Sequence, residues 1–381
     1  MLKNDFLHRS LGIIAVMFIL QACQNSPQAV VSTPVSQVVV TPTIELASTP
    51  TVQPAAAPTV QPAATATPET PLTLPSDLSP TGKLILSDYN TGISEFDFTT
   101  MKLVPRFHPP NNGFVGPSVL SPDGKTFVMI YSIPRDIGDP QYGAADLYTV
   151  AADGSAEPKL LLNTTESGDY YFSPWWAPDG QSIYYGRLYT PISGTPTKPT
   201  GYFLTRYAYP KGPAQELHDN VLSVRVSADG TKLFYVSVDP QTTLSNIYVT
   251  DLDGKNGKAV LPDGETWIID SIAISPDGQS VTFNKGVQET SQSGMSLLDL
   301  LLGTRIASAH NLPSDIWIVK LGGTPQKLTD LDGYGFVADF SPDGQYIAFS
   351  CDSGVYIMKS DGTRQTKVSN VANFSMLQWV P

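Results

Sequence analysis

The sequence predicts an all-β fold: a six-bladed β-propeller of four-stranded antiparallel blades. Its ring is closed by the C-terminal strand joining the N-terminal blade, and a disordered linker precedes it. Three observations lead there. One turn phrase recurs six times, a second hairpin phrase follows each copy, and the two chain ends are complementary halves of one repeat.

The turn phrase is S-P-D-G or a close variant, followed by a strand-forming run. It occurs at 79–87, 121–130, 177–185, 227–236, 275–283 and 341–350, with turn glycines Gly82, Gly124, Gly180, Gly230, Gly278 and Gly344. Proline sets φ near −65° at the turn entry, aspartate bonds its own backbone two residues on, and glycine supplies φ > 0. The runs that follow are rich in Val, Ile, Phe and Tyr, which favour strands. The glycines recur at about the 40–50 residues that one four-stranded blade requires, with longer intervals implying insertions.

The second phrase is an aromatic strand, a polar turn and another strand. Examples are 146–161, 202–217, 246–261, 315–328 and 355–368, with 93–104 in that place in the first unit. Two hairpins per repeat make strands a to d, counted outward from the axis. The chain finishes at Leu377-Gln378-Trp379-Val380-Pro381, which matches the run before a turn, as in Trp175-Trp176-Ala177-Pro178. No good strand precedes the turn at Pro80-Thr81-Gly82. The C-terminal strand is therefore expected as strand a of the first blade, which removes exposed sheet edges.

These phrases resemble the TolB-like propeller repeat, a WD-like repeat with an S-P-D-G core, over roughly residues 78–381. TolB itself carries an extra N-terminal α/β domain, and nothing here resembles one. Related blades also occur in front of prolyl-oligopeptidase-type hydrolases and in oligogalacturonate lyase. The resemblance thus implies a scaffold rather than an activity.

The N-terminal segment reads as an address. Lys3 and Arg9 flank the apolar run from Leu11 to Leu20, which is too short for a membrane span and suits a signal peptide over 1–22. Leu20-Gln21-Ala22-Cys23 resembles the bacterial lipobox, with Gln21 a less usual residue at its position. The resemblance implies a diacylglycerol thioether and an acylated amine on Cys23, hence stable membrane anchoring outside the cytoplasm. The alternative is an ordinary cleaved signal with an incidental cysteine; the place of Cys23 at the cleavage point favours the lipobox. Cys351 is the other cysteine, so a lipidated Cys23 leaves no intrachain disulfide, and Cys351 is expected to be half-buried.

Residues 23–77 form the linker. They contain many prolines, no Lys, Arg or aromatic residue, and the near-duplicate T-V-Q-P-A-A at 51–56 and 59–64. Such a tract cannot bury enough apolar surface to fold. Extended at about 3.1 Å per residue, it reaches on the order of 170 Å. The net charge of the chain is −12, and most of it falls on residues 78–381. Nucleic acid is excluded as a partner, because phosphate binding needs basic patches.

Chemistry-bearing motifs are sparse. His108, His218 and His310 sit apart in expected loops, without metal-ligand spacing, and no G-x-S-x-G elbow occurs. Asp251–Gly254 and Asp330–Gly333 look faintly like calcium loops, but Lys255 and Tyr334 stand where further ligands belong, so hairpin turns are expected. No catalytic residue, metal or cofactor is assigned, and the chain is not expected to be an enzyme.

The insertions carry the functional expectation. They fall in the b–c connections Ile133–Ala145, Leu188–Gly201 and Gly286–Ser314, which a propeller gathers on one face with its d–a connections. Loops on a rigid scaffold are where binding usually resides. The candidate binding face contains Tyr142, Tyr170, Tyr171, Tyr189, Trp267 and Tyr334. Within the third insertion, Ser296–Leu302 is a short apolar helix candidate, either a docking patch or a plug over the channel. On the inner strands, the row Leu120, Trp176, Val226, Ile274, Phe340 and Trp379 is wholly apolar and reads as core. The preceding row is mixed, and its members Trp175, Arg225, Asp339 and Gln378 are candidate channel-lining residues. The expected partner is an envelope protein, with a glycan or peptidoglycan as the alternative and, after both, an enzyme with its site at the central channel.

Overall fold

The computed structural model describes residues 72–110, 113–133, 145–163, 170–189, 201–242, 244–263, 267–269, 271–286 and 312–381, all within one compact unit. They form six four-stranded antiparallel sheets, and no α-helix occurs among them. The first blade holds β1 (Lys83–Asp88), β2 (Gly92–Asp97) and β3 (Lys102–Phe107). The second holds β4 (Phe114–Leu120), β5 (Thr126–Ser132), β6 (Asp146–Ala151) and β7 (Lys159–Leu162). The third holds β8 (Tyr170–Trp176), β9 (Ser182–Tyr189), β10 (Gly201–Ala208) and β11 (Ala214–Asp219). The fourth holds β12 (Val221–Val226), β13 (Lys232–Val238), β14 (Ser245–Asp251) and β15 (Lys258–Ala259). The fifth holds β16 (Ile272–Ile274), β17 (Ser280–Gly286), β18 (Ser314–Lys320) and β19 (Gln326–Lys327). The sixth holds β20 (Val337–Phe340), β21 (Tyr346–Cys351), β22 (Gly354–Lys359) and β23 (Thr366–Ser369).

The last strand, β24 (Met376–Val380), is the innermost strand of the first blade, whose order is β24-β1-β2-β3. Its register places Leu84 opposite Trp379, Ile85 opposite Gln378 and Leu86 opposite Leu377. Closure by the C-terminal strand is thus as the complementary chain ends predicted.

The turns reveal why serine opens the phrase. In four blades its hydroxyl donates to the turn aspartate: Ser121 to Asp123 at 2.6 Å, Ser227 to Asp229 at 2.6 Å, Ser275 to Asp277 at 2.5 Å and Ser341 to Asp343 at 2.6 Å. The same oxygen accepts from the N–H that begins strand b, as with Tyr346 at 2.9 Å. The Ser121 hydroxyl and the Lys125 N–H hold the Asp123 carboxyl below the usual carboxylate range. In the third blade Ala177 replaces the serine, and only the Asp179 bond to Gln181 N–H at 2.8 Å remains. The glycine adopts φ between 67° and 81° in all six turns, a region that side chains oppose.

Six apolar clusters fill the spaces between neighbouring blades. Between the sixth and first lie Tyr346, Ala348, Val355 and Ile357 against Leu84, Leu86, Phe96 and Trp379. Between the second and third, Val128, Ile130 and Leu147 meet Trp176, Ile183 and Tyr185. Each blade thus buries both faces only with two neighbours, so a single repeat cannot stand alone. Cys351 belongs to this core. It is 0% exposed, not half-buried, because β21 is buried along its whole length; its thiol lies 3.0 Å from the Ser353 hydroxyl in the turn.

Candidate functional site

Two regions of the ring gather the residues singled out by the sequence: the face bearing the long connections and the inner row around the axis. The long connections leave strand ends that remain paired to the last residue. Asp146 pairs with Tyr131, Gly201 with Tyr189 and Ser314 with Gly286. All three join strand b to strand c, so all leave the same face of the ring. The corresponding connections of the first and sixth blades are tight turns, Asp88 to Gly92 and Cys351 to Gly354. Most of each long connection, with Tyr142, His310 and Ser296–Leu302, lies outside the described residues.

Two tyrosines mark where these connections meet the ring. Tyr170, half-buried, opens β8 and forms a parallel bridge with Ala145, the residue at which the second-blade connection returns. Tyr334 is 44% exposed. It follows Gly333, whose carbonyl accepts from Ser314 N–H at 2.9 Å where the fifth-blade connection returns. Its own N–H donates to Asp352 Oδ1 at 3.3 Å, on the sixth-blade turn.

The other described members of the expected aromatic set are buried. Tyr171 is 5% exposed, packs edge-on against Tyr185 and donates its hydroxyl to Asn163 O at 3.1 Å. Tyr189 is 4% exposed, with the Arg187 guanidinium 5.5 Å from its ring. Trp267 is 2% exposed, set edge-on to Phe283 and Trp317, with Lys285 Nζ 4.2 Å above it. These three are core residues, corrected from the expected binding face. Tyr171 turns into the cluster between the second and third blades, Trp267 packs into that between the fourth and fifth, and Tyr189 ends a strand buried along nearly its whole length.

The inner row is not a free channel lining. Gln378 on β24 accepts from Leu120 N–H at 2.7 Å and donates to Leu120 O at 3.2 Å, which binds it to the second blade's inner strand. Asp339 on β20 accepts from Trp379 N–H at 2.9 Å through one oxygen and from Phe340 N–H at 3.0 Å through the other. Each of these side chains reaches the backbone of the next blade's inner strand. Burial pushes the Asp339 carboxyl up to about 6, against the Trp379 N–H bond and the Arg225 charge, which favour its ionised form.

Arg225 on β12 is 4% exposed and lies over the Trp175 ring, 4.2 Å from its centroid. Its Nη1 donates to Val224 O at 2.8 Å, and its Nη2 reaches Met376 Sδ at 3.5 Å, on the inner strand of the opposite blade. Burial draws its pKa down to about 10, with the Asp339 charge acting the other way. Beside it, Ser173 and Ser223 lie 3.5 Å apart through their hydroxyls, Ser173 at φ 47° in the bulge between Phe172 and Trp175. The axial roles of Met376, Ser173 and Ser223 were not foreseen; the only signal was their place two residues before the mixed row.

The described histidines, His108 and His218, and the acidic turns have structural partners. His218 lies in β11 rather than a loop; its Nε2 is 2.6 Å from Gly254 O and its ring stacks on Tyr235 at 4.8 Å. Asp251 binds Lys232 at 2.8 Å and Asn256 at 2.6 Å, and Asp253 binds Lys255 at 2.8 Å. Among the described residues, no three His, Cys, Asp or Glu side chains gather as a metal site.

The chain is similar in fold to several solved structures. It has a TM-score of 0.51 and 16% identity to a putative TolB from Agrobacterium tumefaciens, covering 80% of this chain and 99% of that one. The fold is a TolB-like six-bladed propeller. TolB from Acinetobacter baumannii gives a TM-score of 0.50 at 14% identity, covering 75% of this chain; the match spans 65% of that chain's length. A chain of the nidogen–laminin complex gives 0.53 at 9% identity, covering 78% of this chain and 97% of that one. Neither a family model nor a curated protein matches the chain by sequence.

Proposed function

We propose that this chain is a lipid-anchored binding module of the bacterial cell envelope, held outside the cytoplasm through Cys23. The propeller engages a protein partner through the face bearing its long b–c connections. One observation carries this reading: connections in three blades leave a single face, and Tyr170 and Tyr334 stand at the points where two of them return. A rigid ring holds such segments at fixed separation, which lowers the ordering cost of binding. Tyrosine offers large contact area with a polar tip and is enriched at protein interfaces. The neighbour of similar fold from the nidogen–laminin complex was solved in a protein assembly, which agrees with such a use of the fold.

The test is cross-linking capture from intact envelopes with the full lipoprotein. Beside it runs a variant in which Leu188–Gly201 and Gly286–Ser314 are shortened to tight turns. A partner captured by the first and lost from the second supports the reading. Identical capture by both overturns the assignment of the face. Capture of no protein, together with retention on immobilised glycans, replaces the protein partner with a sugar. Labelling of Cys23 by a clickable fatty acid, lost in Cys23→Ala, tests the anchor.

A further inference from the structure

A guanidinium removed from water is ordinarily closed by a carboxylate, because hydrogen bonds to neutral groups return too little of the lost solvation. Arg225 lacks that closure. Its Nε is buried with no hydrogen-bond partner. Its Nη1 donates to the carbonyl of the preceding residue, and its Nη2 meets only the Met376 thioether, a weak acceptor. Among the described residues, Asp339 is the one acidic group whose charge acts on it, and its two oxygens already accept from the Phe340 and Trp379 N–H groups rather than from the guanidinium. The Trp175 ring covers one face of the guanidinium at 4.2 Å. That packing leaves the N–H edge, rather than the flat face, as the side from which an acceptor can approach.

We propose that the axis of the ring is a carboxylate-binding site with Arg225 at its base. The guanidinium edge bearing Nε accepts a planar, singly charged acid in the two-point geometry that arginine and carboxylate share. A single charge fits because Arg225 is the one cation of the inner row, and the negative charge of Asp339, two blades on, opposes a second. The contact with Met376 places the guanidinium toward the starts of the inner strands, hence toward the face with the long connections. The Ser173 and Ser223 hydroxyls lie at that level and supply further donors. Met376 is the group that must yield, and a thioether side chain is the residue best able to do so. The carboxylate is that of a free small acid or of a chain end inserted from a bound protein. The site stands on Arg225 alone and does not depend on the partner proposed above.

The experiment uses the mature chain at constant ionic strength. Acetate is the free-acid probe, with chloride as its control. N-acetyl-diglycine is the chain-end probe, with its C-terminal amide as control. Thermal melting and the side-chain Nε–H resonance of Arg225 are followed through each titration. The expected result is a rise in Tm that grows with the logarithm of probe concentration, with a saturable movement of the Nε–H signal. Both effects should be absent with chloride and amide and at least tenfold weaker in Arg225→Gln. A response to acetate assigns a free acid; a response to the peptide acid alone assigns a chain end. No response to either acid in the wild-type protein overturns the site, whether or not the variant folds. An equal response in a folded Arg225→Gln also overturns it.

Discussion

Replacing Trp379 by alanine tests the closure of the ring directly. Trp379 is 5% exposed. Its ring lies 5.0 Å from Phe98 and 6.3 Å from Tyr346, so it joins the first blade to the sixth. Its Nε1 donates to Thr81 O at 2.8 Å, tying the end of the chain to the first turn. Truncating a buried tryptophan costs about 3–5 kcal/mol, and orphaning the Thr81 carbonyl adds about 1 kcal/mol. For a ring of roughly 300 residues, an unfolding entropy near 2.1 cal/mol/K per residue converts about 5 kcal/mol into a Tm loss of about 8 °C. The assay is calorimetric melting of the mature protein, with Leu160→Ala as the control. Leu160 lies on an outermost strand and is 51% exposed, so its truncation should shift stability by no more than about 0.5 kcal/mol. If Trp379→Ala costs no more than Leu160→Ala, the last strand does not close the ring and the argument from the chain ends fails.

Other substitutions probe separate parts of the reasoning. Gly82→Ala should destabilise clearly while Gly124→Ala costs less. A Cβ at Gly82 falls within van der Waals overlap of the Val380 carbonyl at φ 81°, whereas none of the protein lies within 4 Å at Gly124; comparative melts read the difference. Ser341→Ala should cost about 1–2 kcal/mol by removing the bonds to Asp343 and Tyr346 N–H, and Ala177→Ser should gain about 0.5–1 kcal/mol by building them in the third blade. Denaturant titration tests both, and a destabilising Ala177→Ser would show that the serine role does not transfer. The Asp339 carboxyl titrates near 6 in the folded ring, above its ordinary 3.8. Between about pH 4 and 6 the folded chain therefore keeps a proton that the unfolded chain has released. This group's contribution to stability is present at low pH and is lost as pH rises through that window, with a slope of at most about 1.4 kcal/mol per pH unit. Asp339→Asn should remove that slope; parallel wild-type and variant profiles from pH 4 to 6.5 would refute it.

The fold was legible because its determinants are local. A turn glycine at φ near 70° and a run of β-branched and aromatic residues act within ten residues, and six copies leave little freedom in the count. The loop-bearing face followed from the same topology, since b–c connections share a side whatever their sequence. Which aromatic residues stand on that face was not legible. Tyr170 and Tyr171 are neighbours in sequence, but strand alternation sends Tyr171 into the core and leaves Tyr170 at the bridge to Ala145. Their order along the strand was visible; the side that faces the neighbouring blade was not.

The inner row was harder to read for a different reason. Gln378 binds Leu120 across 258 positions of sequence, and Asp339 binds Trp379 across 40. Neither pair shares a local pattern, because the partner is the backbone of the next blade rather than a side chain with a recognisable type. Both links touch β24: Asp339 reaches into it from the sixth blade, and Gln378 reaches out of it to the second. The first blade is the one whose inner strand has no covalent connection to the rest of its own sheet. Side-chain clamps from both flanks therefore hold the strand where chain continuity does not. An unpaired N–H at Trp379 or Leu120 in this buried row would cost about 1–3 kcal/mol each, so the two polar residues contribute most at the seam of the ring. By contrast, Val119 and Ala273 suffice at the same row in the second and fifth blades, where the connecting turns already hold the inner strands in place.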